Sequence, residues 1–311
     1  MSALICGSFA YDTIMVFHDR FKNHILPDKV HILNVAFHVP DMRREFGGCA
    51  ANIAYNLKLL GGEPLPMGTV GTDFAPYAAW MDRNGISRKH VTVVEDTYTA
   101  QAFITTDLDD NQIIAFHPGA MDHAHRNKIE DAGNVTIGMV SPDGRTGMLE
   151  HATEFAEAGI PFIFDPGQGL PLFGGEELMD FIAKASYVCV NDYESQLICD
   201  RTGLSPHEIA ERVDALIITR GGKGSEIYLP NHRIDIPAAQ AREVIDPTGC
   251  GDAYRAGLLY GLAQGMDWET TARLAAVMGA LKIEQAGAQN HTPDRPQIAD
   301  RFVEAFGYRP W

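Results

Sequence analysis

From Val135 onwards the chain alternates short apolar runs with longer segments whose apolar residues recur at helical spacing. Val135–Val140, Pro161–Asp165, Tyr187–Val190 and Ala215–Thr219 are runs of strand length. Between them, Thr146–Ala158, Glu176–Ala183 and Asp192–Arg201 carry the helical period, and Ser225–Leu229 reads as a return strand. Trp268–Gln285 and Gln297–Ala305 close the chain as helices. Such repetition predicts a parallel-dominated sheet covered by helices on both faces, a three-layer α/β core. Ligands then collect beyond the carboxyl ends of the strands.

The first third is less regular. Leu4-Ile5-Cys6 predicts a buried strand ending in the Gly7-Ser8 turn, with Asp12 just past its carboxyl end. No G-x-G-x-x-G string follows Gly7, which argues against a dinucleotide fingerprint. In residues 13–46, Ile14, Val16, Phe17, Val30, Ile32, Val35, Phe37 and Val39 alternate loosely with polar residues, and Pro27 and Pro40 break helices. Gly47-Gly48 opens a helix carrying Asn52 in its first turn and ending at Gly61-Gly62. Met67–Gly71 predicts a strand and Phe74–Asn84 a helix. Ala100–Thr106 and Gln112–Phe116 form a hairpin around residues 107–111. We therefore expect a core of residues 1–12, 47–96 and 118–311, and a small β-sheet lid of 13–46 and 97–117.

The candidate chemistry sits in Asp246-Pro247-Thr248-Gly249-Cys250-Gly251-Asp252, which feeds a helical segment of small and apolar residues. A glycine-rich turn entering a helix presents unpaired N–H groups at the positive end of the helix dipole, a cradle for phosphate. A simple anion cradle has no use for a carboxylate in its mouth. Asp252 therefore reads either as a helix cap or as a general base for a hydroxyl nucleophile, with the amides of Gly249, Cys250 and Gly251 stabilising charge on the transferred group. Asn191-x-x-Glu194 reads either as a capping box or as a pair whose acid orders water on Mg²⁺, a cation that keeps most of its hydration shell. Asp165, Gln168, Asn191, Thr219 and the 249–252 loop all lie at or just after the carboxyl ends of predicted strands, and that convergence argues for a site. Gly221-Gly222-Lys223-Gly224 does not fit the G-x-x-x-x-G-K-[ST] loop; it is a plain turn or a nucleotide contact.

Composition narrows the class. A formal charge of −16 over 311 residues disfavours nucleic acid or an anionic membrane as partner. Five scattered cysteines form no C-x-x-C pair, and the histidines show no ligand spacing. Free thiols in a reducing cytoplasm are the expectation. No apolar run approaches a membrane span.

Taken together, the motifs resemble those of the ribokinase-like (PfkB) family of carbohydrate and nucleoside kinases. The resemblance rests on Gly47-Gly48-Cys49-Ala50-Ala51-Asn52, on Asn191-x-x-Glu194, and on Asp246 to Asp252 followed by Ala256-Gly257. Cys250 departs from the family, which usually has a small residue there. The resemblance implies transfer of the ATP γ-phosphoryl group to a primary hydroxyl with Asp252 as base, Mg²⁺ as cofactor and Asn191 and Glu194 managing metal and phosphate. It implies Thr219, Gly222 and Gly224 along ATP, and Ser8, Asp12, Gly48 and Asn52 on the acceptor's hydroxyls. It also implies a monovalent cation site, K⁺ in kind, at carbonyls near Asp246, Thr248 and Gly287. Within the family the chain is most similar to bacterial adenosine and broad-specificity nucleoside kinases, around Phe37–Asn52, His117–Met121 and Asn191–Glu194. Phe37, Phe103 and Phe116 on the lid could stack on a purine or be lid core, and Gln168 could read the base edge. Adenosine is the best single acceptor, with a wider purine nucleoside range also open. A free-sugar kinase such as one for ribose or fructose, and a non-catalytic nucleoside-binding protein, are the alternatives. A lid with an apolar face implies closure over substrate and pairing with a second subunit.

Overall fold

The structure, a computed structural model, describes residues 2–25, 34–109 and 111–311. Expected strand positions Val30 and Ile32, and the break at Pro27, lie outside them.

Two sheets organise the described chain. The larger comprises β1 (Ser2–Cys6), β4 (Glu63–Val70), β5 (His90–Val93), β8 (Ile137–Val140), β9 (Phe162–Phe164), β10 (Tyr187–Asn191), β11 (Ala215–Thr219), β12 (Ser225–Leu229) and β13 (His232–Ile236). Its order is β13-β12-β11-β10-β9-β8-β1-β4-β5, parallel from β11 to β5 and antiparallel at the β12 and β13 edge. The smaller sheet, β3-β2-β6-β7, is built from β2 (Ala10–Val16), β3 (Asp41–Gly47), β6 (Ala100–Thr106) and β7 (Gln112–His117).

The period of two along the strands creates the layers. Ala3 and Ile5 of β1, with Cys189 of β10 and Ala215 and Ile217 of β11, join one buried cluster. Leu4 and Cys6, with Val188, Val190, Leu216 and Ile218, join the other. The first cluster is covered by α1 (Cys49–Leu59), α2 (Ala75–Arg83), α7 (Cys250–Gln264), α8 (Trp268–Ile283) and α9 (Arg295–Phe306). The second is covered by α3 (Arg145–Glu157), α4 (Gly175–Lys184), α5 (Asp192–Thr202) and α6 (Pro206–Ala210). Strands buried on both faces read as continuous apolar runs, which is why β8 to β11 stood out in the sequence. The short β5, β13 and α6 lack such runs.

The smaller sheet starts earlier than the pattern suggested. Asp12 is not in a loop after β1; it is the third residue of β2, opposite Glu45 of β3 and Ala102 of β6. Only three residues, Gly7 to Phe9, separate β1 from β2, so the second strand itself carries Asp12. Cross-strand partners share a face. Glu45, Asp12, Ala102 and Phe116 therefore lie on one face, and Arg44, Thr13, Phe103 and Ala115 on the other.

Candidate active site

The candidate site is assembled where α1, α7, strand β2 of the smaller sheet and the loop after α8 converge. Gly48 makes the first junction. It caps α1 at φ +92, and a Cβ there would lie 2.5 Å from the Ser8 carbonyl oxygen. That close approach brings the 7–10 turn onto the start of α1, where the Ser8 hydroxyl accepts the Cys49 N–H at 3.1 Å. A Cβ on Gly47 would lie within 2.5 Å of the Asp12 carboxylate, so the Gly-Gly pair also seats Asp12.

Gly249 makes the second junction. It adopts φ +78 as the cap of α7, with Ala288 packed where its Cβ would be. Within the described residues, the N–H groups of Gly249, Gly251 and Asp252 have no hydrogen-bond partner. The Cys250 N–H is instead donated to the Pro247 carbonyl at 3.1 Å. Of the expected trio, Gly249 and Gly251 thus keep unpartnered N–H groups among the described residues, joined by that of Asp252, while the Cys250 N–H closes the turn.

Asp252 is partly buried in the first turn of α7. Its Oδ2 accepts the Asn52 side-chain N–H at 2.8 Å. Burial pushes its carboxyl up to about 6; the Asn52 hydrogen bond and Arg255 oppose that rise, while the charges of Asp165 and Asp12 add to it. Asp12 is likewise raised to about 6 by burial, with Glu45 and Asp246 adding to it. Burial is thus the largest cause of the rise in both carboxyls, and the charge of Asp12 also acts on Asp252.

Three buried partners were not singled out from the sequence. Gln289 accepts the Trp80 indole N–H at 2.9 Å and donates to Asn52 Oδ1 at 2.8 Å and to the Tyr77 hydroxyl at 2.7 Å. Arg255 faces Asp165 with Nε 2.6 Å from Oδ2, both buried. That approach is a contact of charges, since the Arg255 Nε–H finds no aligned acceptor. Lys282 is fully buried, and its ammonium donates to the carbonyl oxygens of Asp246 at 2.7 Å and Gln285 at 3.0 Å.

On the sheet's other side, Asn191 and Glu194 form the capping box of α5: Asn191 Oδ1 accepts the Glu194 N–H at 2.7 Å, and the Glu194 carboxylate accepts the Asn191 backbone and side-chain N–H groups, each at 2.8 Å. Thr219 ends the neighbouring strand directly opposite Asn191. Gly222 lies in an exposed turn with open space around it, and Gly224 closes that turn against the Ile236 carbonyl. Gln168 is exposed in the turn after β9 with no side-chain partner among the described residues. Of the lid aromatics, Phe116 is 51% exposed on the Asp12 face, whereas Phe103, 39% exposed, faces the opposite way. Phe37 packs on Phe17 and Phe21 at centroid distances of 4.9 and 5.0 Å.

Residues 10–295 match the pfkB family of carbohydrate kinases. The chain belongs to that family. It is 32% identical over 271 residues to a nucleoside kinase of Methanocaldococcus jannaschii, covering 86% of this chain and 89% of the relative. The structure of Burkholderia thailandensis nucleoside kinase in complex with inosine superposes with a TM-score of 0.90 at 57% identity, covering 99% of both chains. The same enzyme with ADP and inosine gives 0.88 at 58% identity, covering 99% of this chain and 97% of that one. The fold is ribokinase-like, and the chain is a phosphotransferase with an alcohol group as acceptor.

Two ions implied by the family meet this geometry differently. Among the described residues no three His, Cys, Asp or Glu side chains group as metal ligands. A lone Glu194, with its oxygens already accepting from Asn191, fits Mg²⁺ held chiefly by phosphate oxygens and water. A monovalent cation at Asp246 does not fit, because the Lys282 ammonium already lies on that carbonyl oxygen. No helix among the described residues is long and apolar enough to cross a membrane.

Proposed function

We propose that the protein is an ATP-dependent nucleoside kinase that phosphorylates the 5′-hydroxyl of purine nucleosides, adenosine and inosine among them. The observation that carries this reading is the Asp252 carboxyl, raised to about 6 and lodged among three unpartnered N–H groups. The hydroxyl oxygen attacks the γ-phosphorus, its proton passes to Asp252, and the bond to the β,γ-bridging oxygen breaks to leave ADP. The N–H groups of Gly249, Gly251 and Asp252 meet the charge that gathers on the transferred group. Glu194, held by Asn191, would order water around Mg²⁺, which would supply charge screening for the phosphates when bound. Thr219, Gly222 and Gly224 line ATP, with Gly222 free of any packing demand of its own.

Ser8, Asp12, Gly48 and Asn52 hold the ribose, Phe116 covers the base from the lid, and Gln168 meets its edge. Inosine in the Burkholderia relative supports a range wider than adenosine. The lid's other face exposes Met42, Phe103 and Ile113, and we assign it to a second subunit; light scattering that gives a monomer mass removes that assignment. The deciding assay is ATP-dependent phosphorylation across a panel of nucleosides and free sugars. Phosphate transfer to ribose or fructose but to no nucleoside overturns the reading.

A further inference from the structure

We propose that the Lys282 ammonium is a built-in monovalent cation that holds the anion-binding turn, so that turnover needs no free K⁺. A buried lysine is rare unless its charge finds acceptors. Here the side chain is 0% exposed, at the end of α8. Its nitrogen bridges two carbonyl oxygens, those of Asp246 and Gln285, which belong to separate loops. The same loops are joined again by the Asp246 carboxylate, which accepts the N–H groups of Gly287 at 2.8 Å and Thr248 at 2.9 Å. They also pack together where Ala288 fills the space beside Gly249. Carbonyl dipoles converging on one positive charge, at the root of a turn that presents N–H groups, is the arrangement a bound alkali ion would create. The chain supplies that charge itself, at the cost of one buried side chain, and a second cation on the same oxygen would be repelled.

Lys282 is therefore a positioning residue for the Gly249–Asp252 turn, and deleting its charge while sparing the carbonyls should leave a vacancy for a free ion. The activity arm of the test rests on the proposed kinase site; the melting arm does not. Wild type, Lys282→Ala and Lys282→Met are assayed in buffer whose only monovalent cation is tetramethylammonium, then titrated with K⁺. We expect the same kcat/KM and Tm for wild type with and without K⁺. Lys282→Ala should lose activity without K⁺ and regain it saturably, its Tm rising with K⁺ through binding to the folded state. Lys282→Met, which fills the space with an apolar chain, should respond to neither. Wild-type turnover stimulated by K⁺, or a folded Lys282→Ala whose activity and Tm ignore K⁺, overturns the proposal. If neither variant folds, the wild-type titration decides it alone.

Discussion

One side-chain amide links Asp252 to Gln289: Asn52 donates to Asp252 at 2.8 Å and accepts from Gln289 at 2.8 Å. The Gln289 contact fixes which end of the Asn52 amide faces the carboxylate. With its oxygen occupied by a donor, Asn52 can present only N–H to Asp252.

Replacing Asp252 by Asn keeps the shape and removes the proton acceptor. We expect kcat to fall roughly 10²–10⁴-fold with nucleoside KM near wild type. Steady-state kinetics on the variant checks this, and unchanged turnover rejects Asp252 as base. The same substitution bears on stability. The folded-state pKa of Asp252 lies above its ordinary value, so its contribution favours the fold at low pH and is lost as pH rises through about 6. Asp252→Asn should therefore melt higher than wild type at neutral pH, with the gap closing as pH falls below about 6.

The acid limb of kcat/KM should follow the same group. Activity requires the deprotonated carboxyl and should decline as pH drops through about 6. Asn52→Ala removes a hydrogen bond that lowers the Asp252 pKa, so the limb should move to higher pH. Asp12→Asn removes a charge that raises it, so the limb should move to lower pH. Measured pH profiles of the two variants that shift in the same direction contradict this assignment of causes.

Gln289→Leu leaves the Trp80 N–H and the Asn52 carbonyl buried without partners. The expected loss of stability is about 1–3 kcal/mol in urea unfolding, by the usual cost of orphaned polar groups. Because Asn52 is then free to flip, kcat should fall as well.

Arg255→Met strips the buried Asp165 carboxylate of its counter-charge. Breaking such a pair from one side costs about 3–5 kcal/mol, measurable as a lower denaturation midpoint. The double variant with Asp165→Leu should recover much of that loss.

The sequence was informative where chemistry is local. Gly249 to Asp252, Gly47-Gly48 and the Asn191–Glu194 box each declare themselves within a few residues, and the apolar runs of β8 to β11 announced the parallel sheet. It was silent where contacts cross the chain. Gln289 and Asn52 are separated by 237 positions, and Asp165 meets Arg255 from a different layer. Lys282 left one faint trace: it falls on the stripe of Leu274 and Met278, four residues apart along α8, where a buried charge is out of place. Phe103 and Phe116 looked equivalent as lid aromatics until the β6–β7 register assigned them to opposite faces.

Strand β3 of the lid runs through Gly47 and Gly48 into α1 without an intervening loop. The lid is thus geared to the helix whose first turn carries Asn52, and through it to Asp252. A movement of β2 and β3 would therefore act first on the start of α1, where Asn52 holds the Asp252 carboxylate at 2.8 Å.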